Sequence, residues 1–108
     1  MKQLDVAQQL SSYRHTIDNL DAALIDILAK RFHCTNQIGV LKAEHNLSPV
    51  DKDREERQYA RIRILANGAK LDQNFVENLM DFIISEVVQR HYQIAADYQA
   101  RQAPASQG

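Results

Sequence analysis

From Val6 to about His45 this chain reads as one unbroken helical pattern, and no other feature limits its fold as severely. Apolar or aromatic residues recur at Tyr13, Ile17, Leu20, Leu24 and Ile27, then at Cys34, Ile38 and Leu41. The steps alternate between four and three, which is the rhythm of a helical seam. A helix of about 40 residues reaches roughly 55 Å. A compact domain of about 100 residues is only roughly 35 Å across. What is left of a 108-residue chain is too little to cover an apolar stripe of that length. A second copy of the same chain, packed antiparallel or intertwined, covers it; an extended monomeric hairpin is the alternative and leaves it in water. The expectation is an all-α fold with three helices per chain, assembled as an obligate homodimer.

The remaining helices are marked by their ends. Pro49 in "NLSP" disfavours continuation of the first helix. Asp51 is placed to cap a second, "KDREERQYARIRILAN", which Gly68 is expected to end. Asp72 is placed to cap a third, "QNFVENLMDFIISEVVQRHYQIAADYQ". No alternating strand pattern of useful length appears. The organisation expected is a single helical domain over residues 1–98 and a disordered tail over 99–108, small and polar in "RQAPASQG".

Charge and cysteine content narrow the partners. The net charge is −1, so no overall basic field exists to hold nucleic acid or an anionic membrane. One cysteine, Cys34, excludes an internal disulfide and suits a reducing compartment. No apolar run approaches the length of a membrane span, and "MKQLDVAQQL" lacks the apolar core of a signal peptide. The cytoplasm is the expected location.

The seam is broken at one position, where Arg31 stands in place of the next apolar residue. Cations on a helix surface usually have a carboxylate three or four residues away. Lys30 has Asp26, Arg57 has Asp53 and Arg14 has Asp18, but Arg31 and Lys42 have none at those offsets. Eleven residues separate the two, so they differ by about 20° in azimuth and about 16 Å in height. For a single buried arginine, a carboxylate from another helix or a snorkelling side chain is the ordinary explanation. Two such cations on one strip point further, to a small anion with charge at both ends serving as the counter-ion.

The second helix adds the opposite sign. Glu55 heads a strip through Tyr59, Ile62 and Ala66 and so faces inward, with Arg54 beside it. Asp53 and Glu56 read as the acidic start that any helix favours. On the third helix His91 follows Ile83 or Ile84 and Val87 at helical spacing, where a hydrogen-bonded packing histidine is the more common role. His15, His33 and His45 form no pattern. No second His or Cys stands at metal-ligand spacing, so no metal site is expected. No serine sits in a nucleophile motif and no glycine-rich phosphate loop exists, so neither covalent catalysis nor a cofactor is expected.

Taken together, "YRHTIDNLDAALIDILAKRFHCTNQIGVLKAEHNLSPVDKDREER" resembles the all-α chorismate mutases, and the similarity continues through "LDQNFVENLMDFIISEVVQ". It spans roughly Leu10 to Ala95. The specific elements are Arg14, the "IDxLDxxLIxxLAxR" run ending at Arg31, "IGxxK" ending at Lys42, and "PVxDxxREE" with Asp51, Arg54 and Glu55. The resemblance implies an intertwined dimer with two equivalent sites that convert chorismate to prephenate. Arg14 would enter the partner's site, while Arg31, Lys42, Asp51, Arg54, Glu55, Val87 and His91 would come from one protomer. Arg14 and Arg31 would then hold the substrate carboxylates, Lys42 the ether oxygen, and Glu55 with the Asp51 region the ring hydroxyl. Lys42, His91, Arg31 and Glu55 are the expected catalytic residues.

Two positions depart from the family pattern. His91 stands where the family carries a Gln or a protonated Glu as second donor to the ether oxygen, and either ring nitrogen of a histidine can donate. Val87 stands where the family has a Ser, which removes a donor to a carboxylate and suggests weaker binding. Two other functions use the same features: an isochorismate–pyruvate lyase of this fold, with the same cations, and a non-catalytic dimeric regulatory module. A pure scaffold gains nothing from Arg31 and Lys42.

Overall fold

The computed structural model describes residues 5–102, and every element among them is helical. Three α-helices follow in order: α1 over Val6–Glu44, α2 over Lys52–Gly68 and α3 over Gln73–Gln102. These are the three helices that the periodicity and punctuation predict. The one displaced boundary is the last. α3 continues through residues 99–102, the first four of the expected tail, because Gln, Ala and Arg there all favour helix and Pro104 is the first residue that cannot continue it. Residues 103–108 of that expected tail lie outside the described residues.

Each helix is bounded by local hydrogen bonds. Asp5 caps α1 reciprocally with Gln8: the Gln8 N–H donates to Asp5 Oδ1 at 2.7 Å and the Asp5 N–H to Gln8 Oε1 at 3.1 Å. At the other end Asn46 turns left-handed with φ 54°, letting Leu47 N–H reach the Lys42 carbonyl at 2.8 Å. Asp51 caps α2 by accepting from the Arg54 N–H at 3.1 Å, and Asp72 caps α3 by accepting from Phe75 N–H at 3.0 Å. α2 ends at Gly68, as expected, and the left-handed position falls two residues later on Lys70, φ 59°. The turn closes there through Leu71 N–H to the Ala66 carbonyl at 2.9 Å, just before the Asp72 cap.

The chain divides into two compact units, Met1–Cys34 and Thr35–Gly108, with the division inside α1. In the second unit α2 and α3 form an antiparallel hairpin. Tyr59 donates to Asp81 and Arg63 pairs with Glu77, so a step of four up one helix is a step of four down the other. Ile62, Ala66 and Ile84 are buried, and so are His91 of α3 and Gly39 of α1. The part of α1 in this unit turns Thr35, Asn36, Gly39, Lys42 and Ala43 toward cover, while Cys34 of the first unit and Ile38 and Leu41 of this one stay exposed. The seam read from the sequence is thus not the face that its own chain covers.

In the first unit the apolar seam is exposed, while Leu28 and Phe32 are half-buried. Tyr13 is 68% exposed, and Val6, Leu10, Ile17, Leu20, Leu24 and Ile27 share that condition. No described residue of the chain covers this stripe.

Candidate active site

Lys42 lies on the last turn of α1, half-buried, where a cation also suits the helix's negative end. Its Nζ donates to the Pro49 carbonyl at 3.3 Å. Lys42 is therefore held, although by a neutral oxygen, and its charge stays uncompensated by any described carboxylate. An open hollow of about 360 Å³ is lined here by Lys42, Ser48, Val50, Asp51 and Asp53. A larger hollow of about 540 Å³, between Ala43, Asn46, Tyr92 and Gln99, contains none of the expected site residues, so size does not locate the chemistry.

The start of α2 separates by role. Asp51 is exposed and its carboxylate is engaged as the helix cap, with Arg54 supplying the capped N–H. Arg54 itself is exposed. Glu55 is half-buried while its charged neighbours Asp53, Arg54 and Glu56 are exposed, as the strip through Tyr59, Ile62 and Ala66 requires. Below it, Tyr59 has its phenol pushed up to about 12 by burial and by its hydrogen bond to the Asp81 carboxylate. That phenol is a proton donor fixed in the hairpin.

On α3, Val87 is half-buried and His91 is 4% exposed. The His91 ring lies against Gly39, close enough that a Cβ there would stand 2.7 Å from its Cδ2. Its Nε2–H donates to the Thr35 carbonyl at 2.7 Å, while Nδ1 is buried with no partner among the described residues. The second unit thus brings together Lys42, Pro49, Asp51 and Arg54 around one loop, and His91 with Thr35 and Gly39 across two helices.

Arg14 and Arg31 belong to the first unit. Arg14 is exposed, and the Asp18 that spacing offers it makes no ion pair with it; neither does Asp53 with Arg57. Of the three pairs read from spacing, only Lys30 with Asp26 closes, at 2.9 Å. Arg31 is half-buried, and its Nη1 is screened from solvent without a hydrogen-bond partner among the described residues. A buried guanidinium nitrogen in that state costs free energy until an acceptor reaches it.

Thr35, Gly39 and Pro49 were not singled out as site residues by sequence reasoning. Two contribute only a backbone carbonyl and leave no side-chain signature. Gly39 did leave one, as a glycine in the middle of a helix, which calls for a close approach by another group.

A family model described as chorismate mutase type II matches residues 13–92. A T-protein of Enterobacter agglomerans is 28% identical over 78 residues, which is 72% of this chain and 21% of that protein. A bifunctional chorismate mutase/prephenate dehydratase of Buchnera aphidicola subsp. Baizongia pistaciae is 30% identical over 79 residues, 73% of this chain and 21% of the relative. A T-protein of Haemophilus influenzae is 30% identical over 73 residues, 68% and 19% respectively. The chain spans about a fifth of the length of these curated relatives. The match covers α2, most of α1 and α3 through His91, and so includes every residue of the candidate site: the chain belongs to the chorismate mutase type II family.

Proposed function

We propose that this chain is a chorismate mutase, rearranging chorismate to prephenate without cofactor or metal, at sites built by two copies of the chain. The observation that carries the reading is Arg31, a buried guanidinium nitrogen that lacks an acceptor in a chain of this family. A substrate carboxylate supplies that acceptor in the bidentate geometry that arginine favours. Arg14, exposed and free of Asp18, takes the second carboxylate from the partner protomer. Fixing both carboxylates folds the enolpyruvyl ether over the ring and removes rotational freedom that the free substrate must lose to reach the transition state.

As the carbon–oxygen bond breaks, negative charge grows on the ether oxygen. Lys42, its Nζ held by the Pro49 carbonyl, meets that charge, so its attraction is stronger in the transition state than in the ground state. His91 is the second donor there. Glu55, with the Asp51 turn, accepts from the ring hydroxyl, and Arg54 balances their charge. Val87 faces a carboxylate without bonding it.

The exposed stripe of the first unit supports the homodimer, since a row from Val6 to Ile27 left in water is large enough to drive association. No helix among the described residues is long and apolar enough to cross a membrane, and a cytoplasmic location suits the single free cysteine. Purified protein incubated separately with chorismate and with isochorismate tests the reading. Prephenate from chorismate is the expected product; pyruvate and salicylate from isochorismate, with chorismate untouched, would replace it with the lyase.

A further inference from the structure

His91 is the one buried ionisable side chain among the described residues, and the mechanism above asks it only to donate a hydrogen bond. Its surroundings restrict how it can do so. A carbonyl oxygen accepts and never donates, so Nε2 beside the Thr35 carbonyl must carry a proton. In a neutral imidazole the other nitrogen then has only a lone pair. The ring's orientation is set by Gly39. A Cβ there would stand 2.7 Å from His91 Cδ2, 3.2 Å from Nε2 and 2.8 Å from Ile94 Cδ1, so the Cδ2–Nε2 edge faces α1 and the Nδ1 side faces away from it. Nδ1 is buried and unpaired.

We propose that the Thr35 carbonyl and the bare backbone of Gly39 form a seat that commits Nε2–H to the protein and reserves Nδ1 for the ligand. Nδ1 then donates to the ligand only when the ring is the imidazolium. Gly39 is a positioning residue in this arrangement, because it allows the ring to lie close enough to α1 to reach Thr35. The ligand half of the inference rests on the functional reading above; the seat does not.

The half-buried charged side chains of this unit include Lys42 on α1, Glu55 on α2, and Glu77 and Glu86 on α3, the two α3 glutamates paired with Arg63 and Arg90. A dicarboxylate ligand supplies the imidazolium with a counter-charge.

Long-range proton–nitrogen correlation on the full chain labelled with nitrogen-15 reads the tautomer directly. Without ligand at mildly alkaline pH, His91 is expected as the neutral ring protonated at Nε2. A ring protonated at Nδ1, or one averaging between tautomers, overturns the seat. On saturation with a bicyclic ether dicarboxylate that mimics the transition state both nitrogens are expected to carry protons, and a ring that stays neutral overturns the donor role. If that ether dicarboxylate does not bind, the functional reading and the donor role fall together, and the ligand-free spectrum still decides the seat.

Gly39→Ala tests the positioning role. Alone it is expected to lower kcat by at least about tenfold, with KM changed less. In a His91→Ala background, where the ring is gone and only the flexible end of Ile94 must move, the same change is expected to cost less than about threefold. Equal losses in both backgrounds would mean that Gly39 serves helix packing alone. If Gly39→Ala does not fold, recovery of helicity in the Gly39→Ala/His91→Ala protein supports the seat, and its failure to recover overturns it.

Discussion

Lys42 illustrates how much a single residue's surroundings qualify its reading. Its lack of a carboxylate at helical spacing marks it as an uncompensated charge, and the charge is indeed uncompensated by any described acid. Its Nζ is nonetheless held by the Pro49 carbonyl, so the ammonium is aimed as well as charged. Lys42→Ala is expected to lower kcat more than about tenfold, equivalent to roughly 1.4 kcal/mol of transition-state stabilisation. KM should change less, because the carboxylates are bound elsewhere. Steady-state kinetics with chorismate checks this, and a fall smaller than tenfold would reduce Lys42 to a clamp on the turn after α1. Val87 supplies the converse case. Val87→Ser restores a hydroxyl within reach of a carboxylate, so KM for chorismate should drop with kcat little changed; an unchanged KM would remove Val87 from the site.

At the scale of elements, the α2–α3 hairpin is clasped by Tyr59 with Asp81 and by Arg63 with Glu77, one turn apart. The first clasp depends on pH. Burial and then the hydrogen bond to Asp81 raise the Tyr59 phenol from 10.0 to about 12 in the folded chain. A group whose folded value is raised contributes its full stability below the unfolded value and loses it as pH climbs through the folded one. Wild-type protein should therefore lose stability relative to Tyr59→Phe between pH 10.0 and about 12. Below that window the variant should be the less stable of the two, by about 1 kcal/mol for the lost hydrogen bond. Denaturant melts of both proteins across the window measure the convergence, and parallel curves would place the titrating group elsewhere.

For the whole molecule the outstanding feature is apolar surface that the described chain leaves exposed along the first half of α1. In the intertwined reading each site joins Arg14 of one protomer to Arg31 and Lys42 of the other. Light scattering at micromolar concentration should return twice the chain mass. Arg14→Ala and Arg31→Ala proteins, each nearly inactive, should recover activity when unfolded together and refolded, since one site of the mixed dimer keeps both arginines. Mixed dimers without activity would show that Arg14 acts within its own chain or not at all.

The helices, their limits and the oddity of Arg31 were legible because each depends on residues within a turn or two. Asp5 with Gln8, Asp51 with the Arg54 N–H and Asp72 with the Phe75 N–H are contacts three residues apart, and such energies are set by local spacing. The absence of an acid near Arg31 is equally local. Even here one boundary was missed, the end of α3, which runs on to Gln102 through residues whose own helix preference is compatible with either state. The face of α1 that becomes covered was not legible. The seam of Ile38 and Leu41 is the more apolar, yet Thr35, Gly39 and Lys42 turn inward, since packing depends on which surface fits an approaching helix. The His91 tautomer was still further from view. It follows from a carbonyl 56 residues away, and every residue type offers the same carbonyl, so nothing in the order of side chains could announce it.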